Sequence, residues 1–253
     1  MRILLFASVL LAFCISGNAA MAQPVTAKSW LVSDITGNII ASENIDELRP
    51  IASITKLITA MVVLDAQQDM DEVITLVPGT KKRPGLSFTR RQLMEMSLVH
   101  SDNRASFALC DHYPGGRGSC ISAMNNKVHS LRMTRTSMSD PTGLDNRNVS
   151  TARELILLAR ASRTYGAIID ASKQARVEIK LKRKWLFFNN TNPMIGKDRR
   201  VVVSKTGFTN PAGGCIVLLL DTEQGDRVVV VLGSKNTRTR IPEAEFISKL
   251  DQN

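Results

Sequence analysis

Three short runs carry side chains suited to acyl transfer: Ser53-Ile54-Thr55-Lys56, Ser101-Asp102-Asn103 and Lys205-Thr206-Gly207. A serine hydroxyl is a weak nucleophile at neutral pH and needs a base beside it. Residues three apart on a helix are neighbours, so the first run predicts that Lys56 presents its amine to the Ser53 hydroxyl. A lysine acts as a base only when burial or a second cation lowers its pKa, and Lys205 is the expected second cation. Taken alone, Ser-x-Asn means little, since it also begins at Ser16, Ser42 and Ser234. Ser-x-x-Lys and Lys-Thr-Gly each occur once, however, and only Ser101 lies between them.

These runs need elements to hold them. Trp30 to Val32 and Ile39 to Ala41 flank the turn Asp34 to Asn38 and read as a hairpin. From Ser53 to Asp65 the residues Ile54, Leu57, Ile58, Met61, Val62 and Leu64 make a helix that is apolar on most sides and belongs in a core. The polar stretch Gln67 to Ser87 reads as loop. Thr89 with Gln92 forms a capping box for a helix to Val99, and Thr151 with Glu154 offers another for a helix to Ser162. Further helices are expected over 103–111, 120–131, 165–173 and 242–250. Strand-forming runs cover 177–181, 185–188, 201–204, 216–221 and 228–232, so Lys205 is expected to end a strand. Strand, helices, then antiparallel strands imply a sheet assembled from both ends of the chain, a helical lobe, and a site in the cleft between them.

Residues 1–22 read as a secretory signal: a basic start at Arg2, an apolar run from Ile3 to Ile15, and small residues around Ala20 and Ala22. No later stretch reaches about eighteen uninterrupted apolar residues, so no transmembrane anchor is expected after the signal is removed. The net charge of +10 suits anionic polymers. Nucleic acid is disfavoured, because aromatic content is only 5% and binding single strands calls for interleaved rings. Basic clusters at Lys81 to Arg83, Arg90-Arg91, Lys182 to Lys184 and Lys235 to Arg240 read as solvated surface. Export permits disulfides, and Cys110 with Cys120 would close a short loop around Pro114-Gly115-Gly116. Cys215 sits in an apolar run and reads as a small buried hydrophobe. His100, His112 and His129 form no ligand pair; no metal or cofactor is implied.

The chain resembles the penicillin-recognising serine D,D-peptidases and β-lactamases. Besides the three runs, the likeness covers Pro50 to Leu57, Asp140-Pro141-Thr142-Gly143-Leu144, Asn190-Thr191-Asn192 and Lys205 to Asn210. It is nearest to the low-molecular-mass D-alanyl-D-alanine endopeptidases, because Ser101-Asp102-Asn103-Arg104 follows their second motif. The resemblance implies an α+β, β-lactamase/transpeptidase-like fold, with a central antiparallel sheet, flanking helices and a helical lobe over residues 23–253.

The same likeness gives each residue a role. Ser53 is the nucleophile, Lys56 the acylation base, and Ser101 the donor to the leaving amine through a hydrogen-bond chain between Lys56 and Lys205. Asn103 holds Lys56 and the substrate amide, while Lys205 and Thr206 bind a terminal carboxylate. The Ser53 and Phe208 N–H groups form the oxyanion hole. A side chain at Gly207 would block a substrate approaching the strand edge. The Asp140 to Leu144 run is expected to be a structural loop at the cleft, and His100 a partly buried structural histidine.

The expected partners are peptidoglycan peptides, with β-lactams as covalent inhibitors, in the periplasm. The chain ends without the extra domain and amphipathic anchor of many D,D-carboxypeptidases, which fits an endopeptidase on cross-links. Carboxypeptidase, β-lactamase and a noncatalytic cationic wall binder are the alternatives. Between Ser101 and Lys205 the only glutamates are Glu154 and Glu178, and neither stands in a Glu-x-x-x-Asn pattern. Rapid deacylation of β-lactams by a dedicated glutamate is therefore not expected.

Overall fold

The computed structural model describes residues 25–77, 85–182 and 184–250; the expected signal and the Lys81 to Arg83 cluster lie outside the described residues. The chain opens with β1 (Ser29–Asp34), β2 (Ile39–Glu43) and the short β3 (Arg49–Pro50). A 3-10 turn over Ala52–Ile54 leads into α1 (Thr55–Asp65). Then come β4 (Val73–Val77), β5 (Leu86–Thr89), α2 (Arg90–Val99), α3 (Asn103–Asp111), α4 (Gly116–Ser130) and the short β6 (Val149–Ser150). Helices α5 (Ala152–Ser162) and α6 (Gly166–Lys173) precede β7 (Arg176–Leu181) and β8 (Lys184–Asn189). Strands β9 (Val201–Thr209), β10 (Gly213–Leu220) and β11 (Arg227–Ser234) and helix α7 (Arg240–Ile247) complete the fold.

The central antiparallel sheet has the order β2-β1-β11-β10-β9, so both chain ends build it and β9 is left as an edge. Alternation sorts its side chains. Leu31, Cys215, Val217, Leu219, Val228, Val230 and Leu232 pack with α1 to α6, whereas Val32, Ile216, Leu218, Leu220, Val229 and Val231 pack with α7. Strands covered on both faces must be apolar at every position, which is why β10 and β11 read as unbroken hydrophobic runs. Helix α1 is buried along most of its length, through Leu57, Ile58, Met61, Val62 and Val63. The expected α+β fold is therefore present.

Several boundaries differ from the sequence expectations. The stretch Gln67 to Ser87 holds β4 and the start of β5, an antiparallel pair in which Ile74 faces Phe88 and both are buried. The β7–β8 hairpin is a separate two-stranded sheet. Lys205 does not end its strand: β9 runs on to Thr209, paired with β10 throughout, so pairing overrides the weak strand propensity of Lys-Thr-Gly. At α2 the full capping box forms between Thr89 and Gln92. At α5 only Thr151 caps, because Glu154 instead accepts from the Arg135 backbone N–H and the Thr136 hydroxyl. Cys110 of α3 and Cys120 of α4 form the disulfide, and Cys215 is buried with its thiol pushed up to about 11 by burial.

Candidate active site

The 3-10 turn places Ser53 one residue before the Ile54 cap of α1, and Lys56 in the first turn of that helix. Lys56 is fully buried, and its Nζ lies 2.9 Å from Ser53 Oγ, 2.7 Å from Asn103 Oδ1 and 2.7 Å from the Thr142 carbonyl. Two of these partners are carbonyl oxygens that can only accept. They take two N–H groups of the amine, so a neutral Lys56 has its lone pair left for the Ser53 hydroxyl. Burial pulls the Lys56 pKa down to about 7, against the carboxylates of Asp140 and Asp102, which favour the charged form.

Asn103 is the first residue of α3, held there by Asp102, whose carboxylate caps the Arg104 and Ala105 N–H groups. Ser101 lies between α2 and α3 with a left-handed backbone, φ 61°. Its Oγ is 3.0 Å from Lys205 Nζ, which also donates to the Thr206 carbonyl at 3.0 Å. Burial, with repulsion from Lys56 and Arg240, pushes Lys205 well below the ordinary lysine value. Lys205, the expected second cation, therefore does not account for the fall at Lys56, which comes from desolvation; the repulsion between the two amines falls instead on Lys205. Of the expected Lys56–Ser101–Lys205 chain, only the Ser101–Lys205 hydrogen bond is present among the described residues.

Ser53, Ser101, Asn103, Thr206, Gly207 and Phe208 line one cleft of about 240 Å³ beside the β9 edge, with Lys56 and Lys205 beneath its floor. All eight expected residues therefore converge. Gly207 has a different reason from the one expected. A Cβ there would stand 2.8 Å from Ser53 N and 2.9 Å from Ala52 Cβ, so the glycine admits the nucleophile's own segment against β9. The Asp140 to Leu144 loop does more than border the cleft. Asp140 gathers the N–H groups of Thr142, Gly143 and Asp145, which aims the Thr142 carbonyl at Lys56. His100 is exposed rather than partly buried; its Nδ1 lies 2.9 Å from the Asn189 carbonyl and its ring meets Phe188 edge-on.

Thr191, Thr209, Thr237 and Arg240 also line the cleft, and motif spacing assigns none of them a role. The Thr191 and Thr206 hydroxyls are 2.6 Å apart. Arg240 is buried, donates to the Gly207 carbonyl at 2.7 Å, and has a buried Nε with no hydrogen-bond partner. It stood at the end of a basic run that reads as surface, and is buried only because α7 folds back onto β10 and β11. The cleft lining contains one cation, Arg240, and several hydroxyls but no carboxylate among the described residues. Glu154, on α5, is occupied by the Arg135 N–H and the Thr136 hydroxyl, and Glu178 pairs with Arg176 on the β7–β8 hairpin. Size does not locate this site: a larger concavity of about 490 Å³ beside Arg132 and Arg160 includes no comparable serine–lysine pair.

A serine bonded to a buried, weakly basic lysine, above a cationic cleft at a sheet edge, is equipment for serine acyl transfer. Residues 16–236 match the peptidase S11 family, described as D-alanyl-D-alanine carboxypeptidase. A D-alanyl-D-alanine endopeptidase of Pseudomonas aeruginosa is 38% identical over 235 residues, covering 88% of this chain and 76% of that one. One from Escherichia coli is 35% identical over 252 residues, covering 94% and 81%. The crystal structure of penicillin-binding protein D2 from Listeria monocytogenes in its ampicillin-bound form superposes with a TM-score of 0.79 at 28% identity, covering 91% of this chain and 100% of that one. The chain belongs to the S11 family and is a serine-type D-alanyl-D-alanine hydrolase.

Proposed function

We propose that the protein is a D,D-endopeptidase that opens D-alanyl cross-links between peptidoglycan stem peptides in the periplasm, through an acyl-enzyme on Ser53. The observation that carries this reading is the Lys56 amine, tied by two carbonyls so that its remaining valence faces Ser53 Oγ. Neutral Lys56 takes the hydroxyl proton as Ser53 Oγ bonds to the D-alanyl carbonyl carbon. The backbone N–H groups of Ser53 and Phe208 face the developing oxyanion. As the C–N bond breaks, Ser101 passes its proton to the leaving amine and takes up the one that Lys56 removed from Ser53, while Lys205 keeps its own proton and holds the Ser101 hydroxyl in place by its hydrogen bond. Water then releases the acyl group. Lys205, Thr206 and Arg240 receive a substrate carboxylate by charge-assisted contacts. The Cys110–Cys120 disulfide and the leader-like residues 1–22 support an oxidising, exported location.

β-Lactams acylate the same serine. The cleft has no carboxylate placed to activate a deacylating water among the described residues, so the adduct is long-lived. Labelling with a fluorescent penicillin gives a stable covalent band for the parent and none for Ser53→Ala; a folded parent that takes no label refutes the acyl-enzyme. The unpaired Arg240 Nε favours one second reading, a carboxypeptidase that grips a terminal carboxylate. Digestion of purified cross-linked muropeptides separates the two. Endopeptidase action converts dimers to monomers, whereas release of free D-alanine with dimers intact assigns the carboxypeptidase.

A further inference from the structure

The cleft leaves unexplained an aromatic surface beside it. In the β7–β8 hairpin the core face carries Val177 and Ile179, both buried, with Leu186 and Phe188 packed on the same core. The hairpin is fastened by that face. Its outer face pairs Glu178 with Phe187 and Lys180 with Trp185, and the two rings are 55% and 49% exposed respectively. Large rings turned to solvent on a strand already anchored by its other face mark an interaction surface.

Charge narrows the occupant. The Arg176 guanidinium lies 5.0 Å from the Phe187 ring centroid, and Lys180 Nζ lies 5.9 Å from that of Trp185. Glu178, the one acid on this face, is paired with Arg176. Lys180 on this face, and Lys182 and Lys184 at the hairpin tip, are exposed and have no carboxylate partner among the described residues. The surface is therefore aromatic and cationic. Rings two residues apart on a strand are spaced by about 7 Å, which lets each lie under a separate pyranose ring, C–H groups against the π face. The lysines match carboxylates on the same ligand.

Position links this surface to the cleft. Two residues past the end of β8 lies Thr191, whose hydroxyl meets that of Thr206, and both line the cleft. The Asn189 carbonyl at the strand end meets His100, next to Ser101. We propose that the outer face of the β7–β8 hairpin, centred on Trp185 and Phe187, docks the sugar strand and acidic stems of peptidoglycan while one stem enters the cleft. This rests on the peptidoglycan reading above.

The test compares the full chain with Trp185→Ala/Phe187→Ala and with Trp185→Tyr/Phe187→Tyr. Both rings are exposed, so thermal melting is expected to match the parent; a variant that fails to fold is replaced by Lys180→Glu/Lys184→Glu under the same readouts. Expected for the alanine pair is about tenfold weaker cosedimentation with purified sacculi and a similar fall in their digestion, with the tyrosine pair restoring both. Penicillin labelling and cleavage of a soluble muropeptide dimer stay at parental levels. Sacculus binding and digestion equal to the parent overturn the proposal. So does an equal loss on the soluble dimer, which assigns the rings to the cleft itself. Loss of binding to phosphatidylglycerol vesicles with sacculus binding intact assigns the face to a membrane surface and also overturns it. A parent that neither takes label nor cuts dimers refutes the enzymatic reading instead, and the cosedimentation arm then judges the surface on its own.

Discussion

Lys56 titrates at about 7 because burial disfavours its charge, and only the neutral amine can accept the Ser53 proton. The base-competent fraction is then about one-tenth at pH 6 and about nine-tenths at pH 8, so acylation speeds up about tenfold over that interval. A second perturbation tests the cause. The Asp102 carboxylate favours the charged amine, so Asp102→Asn removes a charge that holds the proton on Lys56. Asparagine caps a helix about as well as aspartate and keeps an acceptor oxygen for the Arg104 and Ala105 N–H groups, and the Arg104 side chain is itself exposed, so α3 and Asn103 keep their places. The Lys56 pKa falls and the acid limb of the profile moves to lower pH. The assay is the time course of fluorescent-penicillin labelling at subsaturating concentration, from pH 5.5 to about 8.5, with melting checked at each pH. A flat profile between pH 6 and about 8, or a limb that Asp102→Asn moves to higher pH, would refute Lys56 as the base.

Other expectations follow from the same geometry. Lys56 has a folded pKa below its unfolded value of 10.5, so the unfolded chain binds the extra proton above about 7 and stability rises with pH toward 10.5; Lys56→Ala should flatten that part of a melting-temperature profile. Arg240→Met should raise KM about tenfold or more for peptides with a free terminal carboxylate and leave their amides unaffected, since a hydrogen bond to a charged group contributes about 1.5–3 kcal/mol. Gly207→Ala should cut penicillin labelling about a hundredfold, because its Cβ meets Ser53 N at 2.8 Å and a displaced nucleophile loses its attack geometry. Replacing Cys110 and Cys120 by serine should lower stability in urea melts by about 3 kcal/mol and leave labelling of the folded fraction unchanged.

The sequence made the nucleophile, its lysine and the order of the three motifs legible, because those depend on i,i+3 spacing and on unique short runs. It made the sheet legible for a similar reason: strands covered on both faces, such as Val228 to Leu232, have no polar position to confuse the pattern. The β4–β5 hairpin was hidden because its loop-like composition says nothing of Ile74 and Phe88 meeting across two strands. Arg240 was hidden more deeply. Nothing local separates it from Lys235 or Arg238, and its burial depends on where α7 lands. The Thr142 carbonyl could not be found from residue types at all, since a backbone oxygen leaves no mark on a side-chain motif. Such contributions come from tertiary packing, where spacing along the chain no longer constrains distance.

Two unfavourable backbone conformations show what that packing accomplishes. Ser101 and Ala52 both have positive φ, 61° and 46°, in a region that costs a non-glycine residue about 1 kcal/mol or more. At the end of a helix such as α2, glycine would adopt this conformation freely. A serine there gains nothing locally, but its hydroxyl reaches Lys205. Ala52 immediately precedes the nucleophile, and two glycines press on it. A Cβ on Gly143 would fall 1.9 Å from the Ala52 carbonyl oxygen, and one on Gly207 2.9 Å from the Ala52 side chain. The first contact seats the loop that gives the Thr142 carbonyl to Lys56; the second seats β9, whose Lys205 meets Ser101. The Ser53 turn is thus clamped between the elements that orient its base and its proton donor, so its strained conformation is imposed from both sides and the hydroxyl is positioned before substrate arrives.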